Sequence, residues 1–469
     1  MRAPCHEPRR TCNPVSRGIG NARGAASSAA TVGTRYLRVS PDPTAVSPFP
    51  HRISTLPEPT ARPAPGAASE ALPAAGTRDS GDMALVLTGG GARGAYQVGI
   101  LRYIARRWPH LHFPIITGVS AGAINAAHLA QAHGTFPQAV DELGALWSEL
   151  TPDRIFRVDV GGLLANMGRW GVQLAGGGVR ESRVRGLVDT APLWELLTEA
   201  LAPVNGELTG IDYNLARGTL RAVALGTTSY STGQSVIWAQ GRNLQTWERP
   251  SRRAVETRLC VEHVMASSAL PLFFPAVKIG DQWHGDGGIR LTAPLSPALH
   301  LGAHKILAVS SHYERTQGEA DRPAVRGYPP PAQVLGVLLD AIFLDVVDQD
   351  VMRMERMNDL LRTLPEENRS GMRVVELMTF RPSRDLGMIS REHEPRLPRA
   401  FRLLTRGLGT RETASPDLLS MMMFQEDYVR RLMEIGEQDA EARGDELAAF
   451  IEGNGGMTAG TAANDESGA

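Results

Sequence analysis

Three short stretches of this sequence carry residues whose types and spacing could do chemistry. The first is Gly118-Val119-Ser120-Ala121-Gly122. A serine between two glycines, placed where a strand turns into a helix, projects from a sharp bend. It then stands at the positive end of the helix that follows, where negative charge developing on a bound substrate is favoured. The second stretch is Gly89-Gly90-Gly91-Ala92-Arg93-Gly94. A run of glycines exposes backbone N–H groups in a tight loop, and such a loop can cradle an oxyanion or a phosphate. The third is Asp286-Gly287-Gly288, preceded by Trp283-His284-Gly285. Alone it marks a turn. Beside a serine it also supplies the proton acceptor that a hydroxyl nucleophile needs. A carboxylate is a weak base unless burial raises its pKa.

Each stretch has competing readings. The glycine run also spells the dinucleotide-binding pattern G-x-G-x-x-G, which needs an acidic residue about 20 positions on. Between Gly94 and Gly118 there is no Asp or Glu. No Gly-Lys-Ser/Thr follows either, which removes the Walker A reading. A Ser-His-Asp triad of the ordinary α/β-hydrolase kind expects the order serine, acid, histidine. The histidines after Ser120 are His128, His133, His263, His284, His300, His304, His312 and His393, and none has a local signature. His284, two residues before Asp286, is the one placed to line the site.

The elements that must position these residues follow from periodicity. The apolar run 84–88 predicts a buried parallel strand, with the glycine loop behind it and a helix over 95–107. In that helix Tyr96, Leu101, Ile104 and Trp108 share one face, and Pro109 helps end it. Residues 113–117 predict a second strand and 121–133 a helix of small residues. Strand, helix, strand, helix implies a parallel, doubly wound sheet. Further strands are expected at 220–227, 235–239 and 305–310. The run 334–347 is expected to be a buried helix within a mostly helical stretch 332–361. Ser415-Pro416-Asp417 has the form of a helix start, and Tyr428, Leu432 and Ile435 mark an amphipathic helix beyond it. The glycine-rich stretch 161–178 is expected to form a loop or cap over a site. Met421-Met422-Met423-Phe424 is expected to pack in the core rather than form an exposed lipid-facing patch, and Arg106-Arg107 to face solvent.

Bulk properties set the frame. The 469 residues carry a net charge of −1, so no global field draws the chain to nucleic acid or to an anionic membrane. Three cysteines, Cys5, Cys12 and Cys260, form no zinc-like spacing and fit a reducing compartment. No run reaches the roughly 18 apolar residues of a membrane-spanning helix. Residues 1–82 are rich in Pro, Ala, Gly, Arg and Ser and are expected to be a disordered extension, with Met83 a second candidate start. They show no secretory apolar region and only a loose likeness to a transit peptide.

Residues 85–127 resemble the start of the patatin-like phospholipases. In that family a G-G-G-x-R-G loop precedes a G-x-S-x-G elbow, and a later D-G-A or D-G-G supplies an aspartate. Ala266-Ser267-Ser268-Ala269-Leu270-Pro271 with Phe274-Pro275, and Leu301-Gly302-Ala303, also resemble family stretches. The likeness runs well over 83–310 and loosely beyond. It implies a three-layer α/β fold, with a mostly parallel central sheet flanked by helices and a helical C-terminal extension. The implied organisation is a catalytic core at 83–310, a helical part at 311–452 packed on it, and a loose tail at 453–469.

The resemblance further implies that Ser120 attacks an ester carbonyl and that Asp286 takes its proton and later passes it to the leaving alcohol. Backbone N–H groups of the loop Gly89, Gly90, Gly91, Ala92, Arg93 and Gly94 would hold the oxyanion, centred on Gly90, Gly91 and Ala92, with Arg93 stabilising the loop. Gly118 and Gly122 shape the elbow, and Gly287 and Gly288 follow the aspartate. No metal or organic cofactor is implied. The implied substrate is an acyl lipid met at a membrane or micelle surface, with a cytoplasmic setting. Gly288 stands where many relatives have Ala, and Thr292-Ala293 where they often carry Asn before Pro294, which touches substrate fit. The reading from a different class is a catalytically silent lipid-binding or scaffold protein on the same fold.

Overall fold

The computed structural model describes residues 83–157, 186–321, 328–329, 331–343, 345–394 and 417–453. The 1–82 extension, the stretch 161–178, the Ser415-Pro416 pair and the tail beyond Gly453 lie outside the described residues.

The chain opens with β1 (Met83–Leu87), whose five residues are all apolar and all buried. Both faces are covered. Leu85 and Leu87 face one core and Ala84 and Val86 the other. That is why the strand carries a continuous apolar run instead of an alternation. Each fully buried leucine stabilises the fold by about 1.5–3 kcal/mol. Next come α1 (Gly94–Arg107), β2 (Ile115–Val119), α2 (Ala121–Gln131) and α3 (Phe136–Ser148). The strand expected at 113–117 is thus displaced by two residues. Pro114 has no N–H to give a ladder, so the pairing of β2 with β1 starts at Ile115.

After α4 (Ala191–Leu201) and α5 (Thr209–Arg217) the chain forms the antiparallel pair β3 (Ala222–Ser229) and β4 (Ser235–Gly241). β5 (Glu248–Arg249), β6 (Arg252–Glu256), α6 (Val261–Ser267), the hairpin β7 (Val277–Ile279) with β8 (Gln282–Asp286), and β9 (Lys305–Val309) follow. The C-terminal part supplies α7 (Pro331–Phe343), α8 (Asp345–Thr363), β10 (Glu376–Phe380), α9 (Leu386–His393), α10 (Asp417–Met421), α11 (Glu426–Ala442) and α12 (Gly444–Glu452). One mixed sheet runs β10-β9-β1-β2-β3-β4-β6-β5, and β8 joins β3 beside β2. Strands β10, β9, β1, β2 and β3 are mutually parallel. This is the expected α/β class with a mostly parallel sheet and flanking helices.

Two findings depart from expectation. The C-terminal part is not purely helical, since β10 extends the central sheet on β9. The run 334–347 is not one buried helix. It divides between α7 and α8, and Val334, Val337 and Leu338 are about half exposed while Leu339 and Val347 are buried. With Asp340 its one charged residue, α7 gives little sequence signal for the stripe that packs. By contrast Tyr428, Leu432 and Ile435 of α11 are fully buried, as the periodicity requires. The helix crosses α1 so closely that a Cβ on Gly99 would lie 2.0 Å from the Met433 carbonyl oxygen, and one on Gly436 would lie 2.3 Å from that of Tyr96. Tyr96 Oη donates to Asp439 Oδ2 at 3.0 Å across the same contact. Arg106 and Arg107 are exposed, as expected, and Arg106 also reaches Glu437 of α11 at 2.9 Å.

Candidate active site

Ser120 sits between β2 and α2 with φ 56° and ψ −129°, a backbone conformation rare for a residue with a side chain. The flanking glycines are required by contact. A Cβ on Gly118 would lie 2.4 Å from the Gly122 oxygen, and one on Gly122 would lie 2.3 Å from the Leu87 oxygen. Such strain persists only where the surroundings over-determine it. Two serines do so. The Ser120 N–H donates to Ser267 Oγ at 3.0 Å, and that hydroxyl donates to the Gly226 carbonyl at 2.7 Å. Ser268 Oγ donates to the Ser120 carbonyl at 3.1 Å. Both serines are buried.

These two positioning residues were visible in the sequence only as part of a quoted stretch, because two serines ending a short helix carry no pattern of their own. Ser267→Ala strips the elbow N–H of its acceptor. It is expected to lower kcat on an ester substrate by about 10–100-fold with little change in KM, since small misplacements of a reacting atom cost on that order. Unchanged kcat in steady-state assays would show that the elbow holds its shape without the bridge.

Asp286 reaches Ser120 through strand register. Along β3, Gly226 pairs with Val119 of β2 and the next residue, Thr227, pairs with Asp286 of β8. Asp286 therefore takes the sheet position that Ser120 would have filled had β2 continued. Its backbone is fixed by its N–H to the Ala269 carbonyl at 3.0 Å and by Thr228 Oγ1 to its own carbonyl at 2.8 Å. Gly287 allows the close return, as a Cβ there would lie 2.2 Å from the Gly226 oxygen. The carboxylate is fully buried, and burial pushes its pKa up to about 7, against the opposing pull of the Ser120 hydroxyl and the Gly288 N–H. Oδ1 accepts the Gly288 N–H at 2.9 Å. Oδ2 has no partner at normal hydrogen-bond geometry, so the approach of the Ser120 hydroxyl is loose. Catalytic hydrogen bonds are often long before substrate binds.

The glycine loop leaves β1 next to this pair. Gly90 has φ 148° and Gly91 φ 57°. Among the described residues their N–H groups donate to no protein acceptor. Ser311 Oγ holds the loop by donating to the Gly89 carbonyl at 2.6 Å. Arg93 is buried and does not face the cavity chemistry. Its Nε donates to Ser420 Oγ at 2.6 Å, and its guanidinium pairs with Asp417 at 2.6 Å, both on α10. A Cβ on Gly91 would lie 2.1 Å from the Met421 oxygen of the same helix. The C-terminal part thus clamps the loop.

An apolar cavity of about 50 Å³ opens on Ser120 and Gly91. Trp147 and Leu150 after β2, Leu196 of α4, Phe274, and Met421 with Met422 wall it. The methionine cluster is buried, as expected, and in addition forms this wall. The arrangement offers a strained hydroxyl, a buried carboxylate of raised pKa, unspent backbone donors and a greasy chamber. That set suits attack on a carbonyl carrying an apolar chain.

His284 is buried but does not line the cavity. Its Nδ1 lies 3.1 Å from Thr227 Oγ1, and burial, aided by the Arg253 charge, pushes its pKa down to about 4. His263 is likewise pushed to about 4 by burial and by His284. Trp238 packs edge-on against both rings and donates to Thr227 Oγ1 at 2.8 Å. Among the described residues no cluster of three or more His, Cys, Asp or Glu could hold a metal ion, and no helix is long and apolar enough to cross a membrane.

Comparison with known proteins finds similar chains. The family model described as patatin-like phospholipase matches residues 85–299. Calcium-independent phospholipase A2-gamma of Rattus norvegicus is 27% identical over 220 residues, covering 46% of this chain and 25% of that protein. The Mus musculus protein of the same name is 26% identical over the same length and shares. The chain therefore spans only a quarter of these relatives. Among solved structures, human GIVD cytosolic phospholipase A2 aligns with a TM-score of 0.39 at 13% identity, over 79% of this chain and 60% of that one. VipD from Legionella pneumophila aligns with a TM-score of 0.33 at 14% identity, over 78% and 67%. Residues 85–299, which hold the elbow, the glycine loop and the Asp-Gly-Gly turn, are thus similar to the patatin-like phospholipase family.

Proposed function

We propose that the protein is a lipid acyl hydrolase that cleaves carboxylic ester bonds through a Ser120–Asp286 dyad and an acyl-enzyme intermediate. The observation that carries this reading is the basicity order of the site. Burial brings the Asp286 carboxyl to about 7 and drops the His284 imidazole to about 4. The carboxylate is then the stronger base near neutral pH, the reverse of the order in water.

In the first step Ser120 Oγ bonds to the ester carbonyl carbon while its proton passes to Asp286. The carbonyl oxygen becomes an oxyanion facing the Gly90 and Gly91 N–H groups. The intermediate collapses, the C–O bond to the alcohol breaks, and Asp286 returns the proton to the leaving oxygen. Water then attacks the acyl-serine with Asp286 again as base, releasing the acid and restoring the hydroxyl. The cavity walled by Leu196, Phe274 and Met421 takes the acyl chain. In this reading residues 83–310 are the catalytic unit and 311–452 complete it, which the contacts of Arg93 with Asp417 and Ser420 support. Acyl lipids of a membrane or micelle surface are the substrates this chamber suits.

The dependence on pH tests the assignment. Asp286 must be ionised to accept a proton. kcat/KM on a soluble ester is expected to rise about tenfold per pH unit up to roughly 7 and then level, as one titrating base requires. His284→Gln is expected to leave that limb in place and to change kcat/KM by only a few-fold. A limb that disappears in His284→Gln would transfer the role of base to the histidine.

A further inference from the structure

A second cavity lies at the other end of β2 from Ser120, ~16 Å away at ~3.3 Å per strand residue. It is about 270 Å³, against about 50 Å³ for the chamber at Ser120. Leu111, Phe113, Ile116, Leu129, Phe136 and Leu220 form its apolar wall. It opens between the α1–β2 loop, the end of α2, the start of α3 and the end of α5.

The rim carries a cation and no carboxylate. No acidic side chain lines the cavity, whereas His110, His112, His133 and Arg217 all do. Arg217 and His133 are held together by Tyr213. The guanidinium donates to Tyr213 Oη at 3.0 Å and lies 5.4 Å from its ring, and the His133 ring packs 4.9 Å from the same ring. Arg217 makes no ion pair among the described residues, so its remaining N–H groups are available to an anion. The carbonyls of Ala130 and Ala132 at the end of α2 would repel one, but both accept from Asn214 Nδ2 at 2.9 Å.

We propose that this cavity is a binding site for a single-chain carboxylate amphiphile, with the chain on the apolar wall and the carboxylate on Arg217 and His133. Guanidinium and carboxylate match in shape as well as charge, and an apolar groove with a few convergent polar groups is what such ligands fill. A long-chain acid is also what the proposed hydrolysis releases. That link rests on the proposed function, whereas the binding does not.

The test is photo-crosslinking of the full chain with a diazirine-bearing long-chain fatty acid, followed by peptide mapping, which requires no turnover. Adducts are expected in residues 109–116, 129–139 and 213–220, reduced about tenfold or more in Arg217→Glu. A diazirine alcohol of equal length is expected to label those peptides at least about tenfold less. Adducts confined to residues 120–124, 270–274 and 421–424, equal labelling by the alcohol, or labelling that survives Arg217→Glu would each overturn the site. Arg217 is exposed, so the variant should fold, and an unchanged circular dichroism spectrum and thermal midpoint of the variant verify it.

Discussion

Asp286→Asn is expected to lower kcat/KM by about 10,000-fold while making the protein more stable above pH 7. Loss of one member of the catalytic unit of a serine hydrolase costs about 10,000-fold or more, because the hydroxyl is a poor nucleophile without a proton acceptor. The stability effect follows from linkage. The folded-state pKa of Asp286 is raised from 3.8 to about 7. Whatever stability its protonated form confers is therefore complete below about pH 4 and is lost as pH rises through about 7. The asparagine stays neutral throughout. The variant's advantage in urea midpoint should open between pH 4 and 7 and stay constant above. A variant that loses both activity and stability would mean that the carboxylate is a structural acceptor and not a base held at a cost in stability.

The second large effect concerns the ion pair between Arg93 and Asp417. The Arg93 side chain is 3% exposed and Asp417 lies 2.6 Å away, across the join between the glycine loop and α10. Asp417→Ala leaves the guanidinium buried against Ser420 without its carboxylate. Breaking one half of such a pair costs about 3–5 kcal/mol, while replacing both halves by apolar residues costs much less. Arg93→Met with Asp417→Leu should therefore recover most of the stability lost in Asp417→Ala. Because the same contact sets the Gly90 and Gly91 N–H groups, kcat should fall in the single variant even in the fraction that remains folded. Chemical denaturation and kcat measured on the same samples separate the two effects. Equal stability of parent and Asp417→Ala would remove the clamp from the account.

Much of the site was legible because its chemistry is local. The elbow needs Gly118 and Gly122 within one turn of Ser120, and the glycine loop needs its donors in sequence, so both leave compact signatures. The strands that carry them are buried on both faces and show as apolar runs. Asp286 could be named from its turn, but its proximity to Ser120 could not. That proximity depends on β8 replacing β2 along β3, and the residues of β8 do not alternate in polarity. The Arg93 clamp was out of reach for a different reason. Asp417 and Ser420 lie on a helix of five residues, more than 300 positions downstream, and nothing local pairs them with the loop. The exposed stripe of α7 was misplaced because most of its residues are apolar and only Asp340 is charged. The raised pKa of Asp286 and the lowered pKa of His284 come from burial, which residue type alone does not disclose.

The most direct measurement is labelling of the full chain with a fluorophosphonate, with the adduct located by mass spectrometry and its rate followed against pH. The account predicts one adduct, on Ser120, forming at a rate that rises to a plateau near pH 7, and labelling about 1,000-fold or more slower in Asp286→Asn, since an unactivated hydroxyl reacts poorly. No adduct on the folded protein, or an adduct on Ser120 that forms as fast in Asp286→Asn, would contradict it.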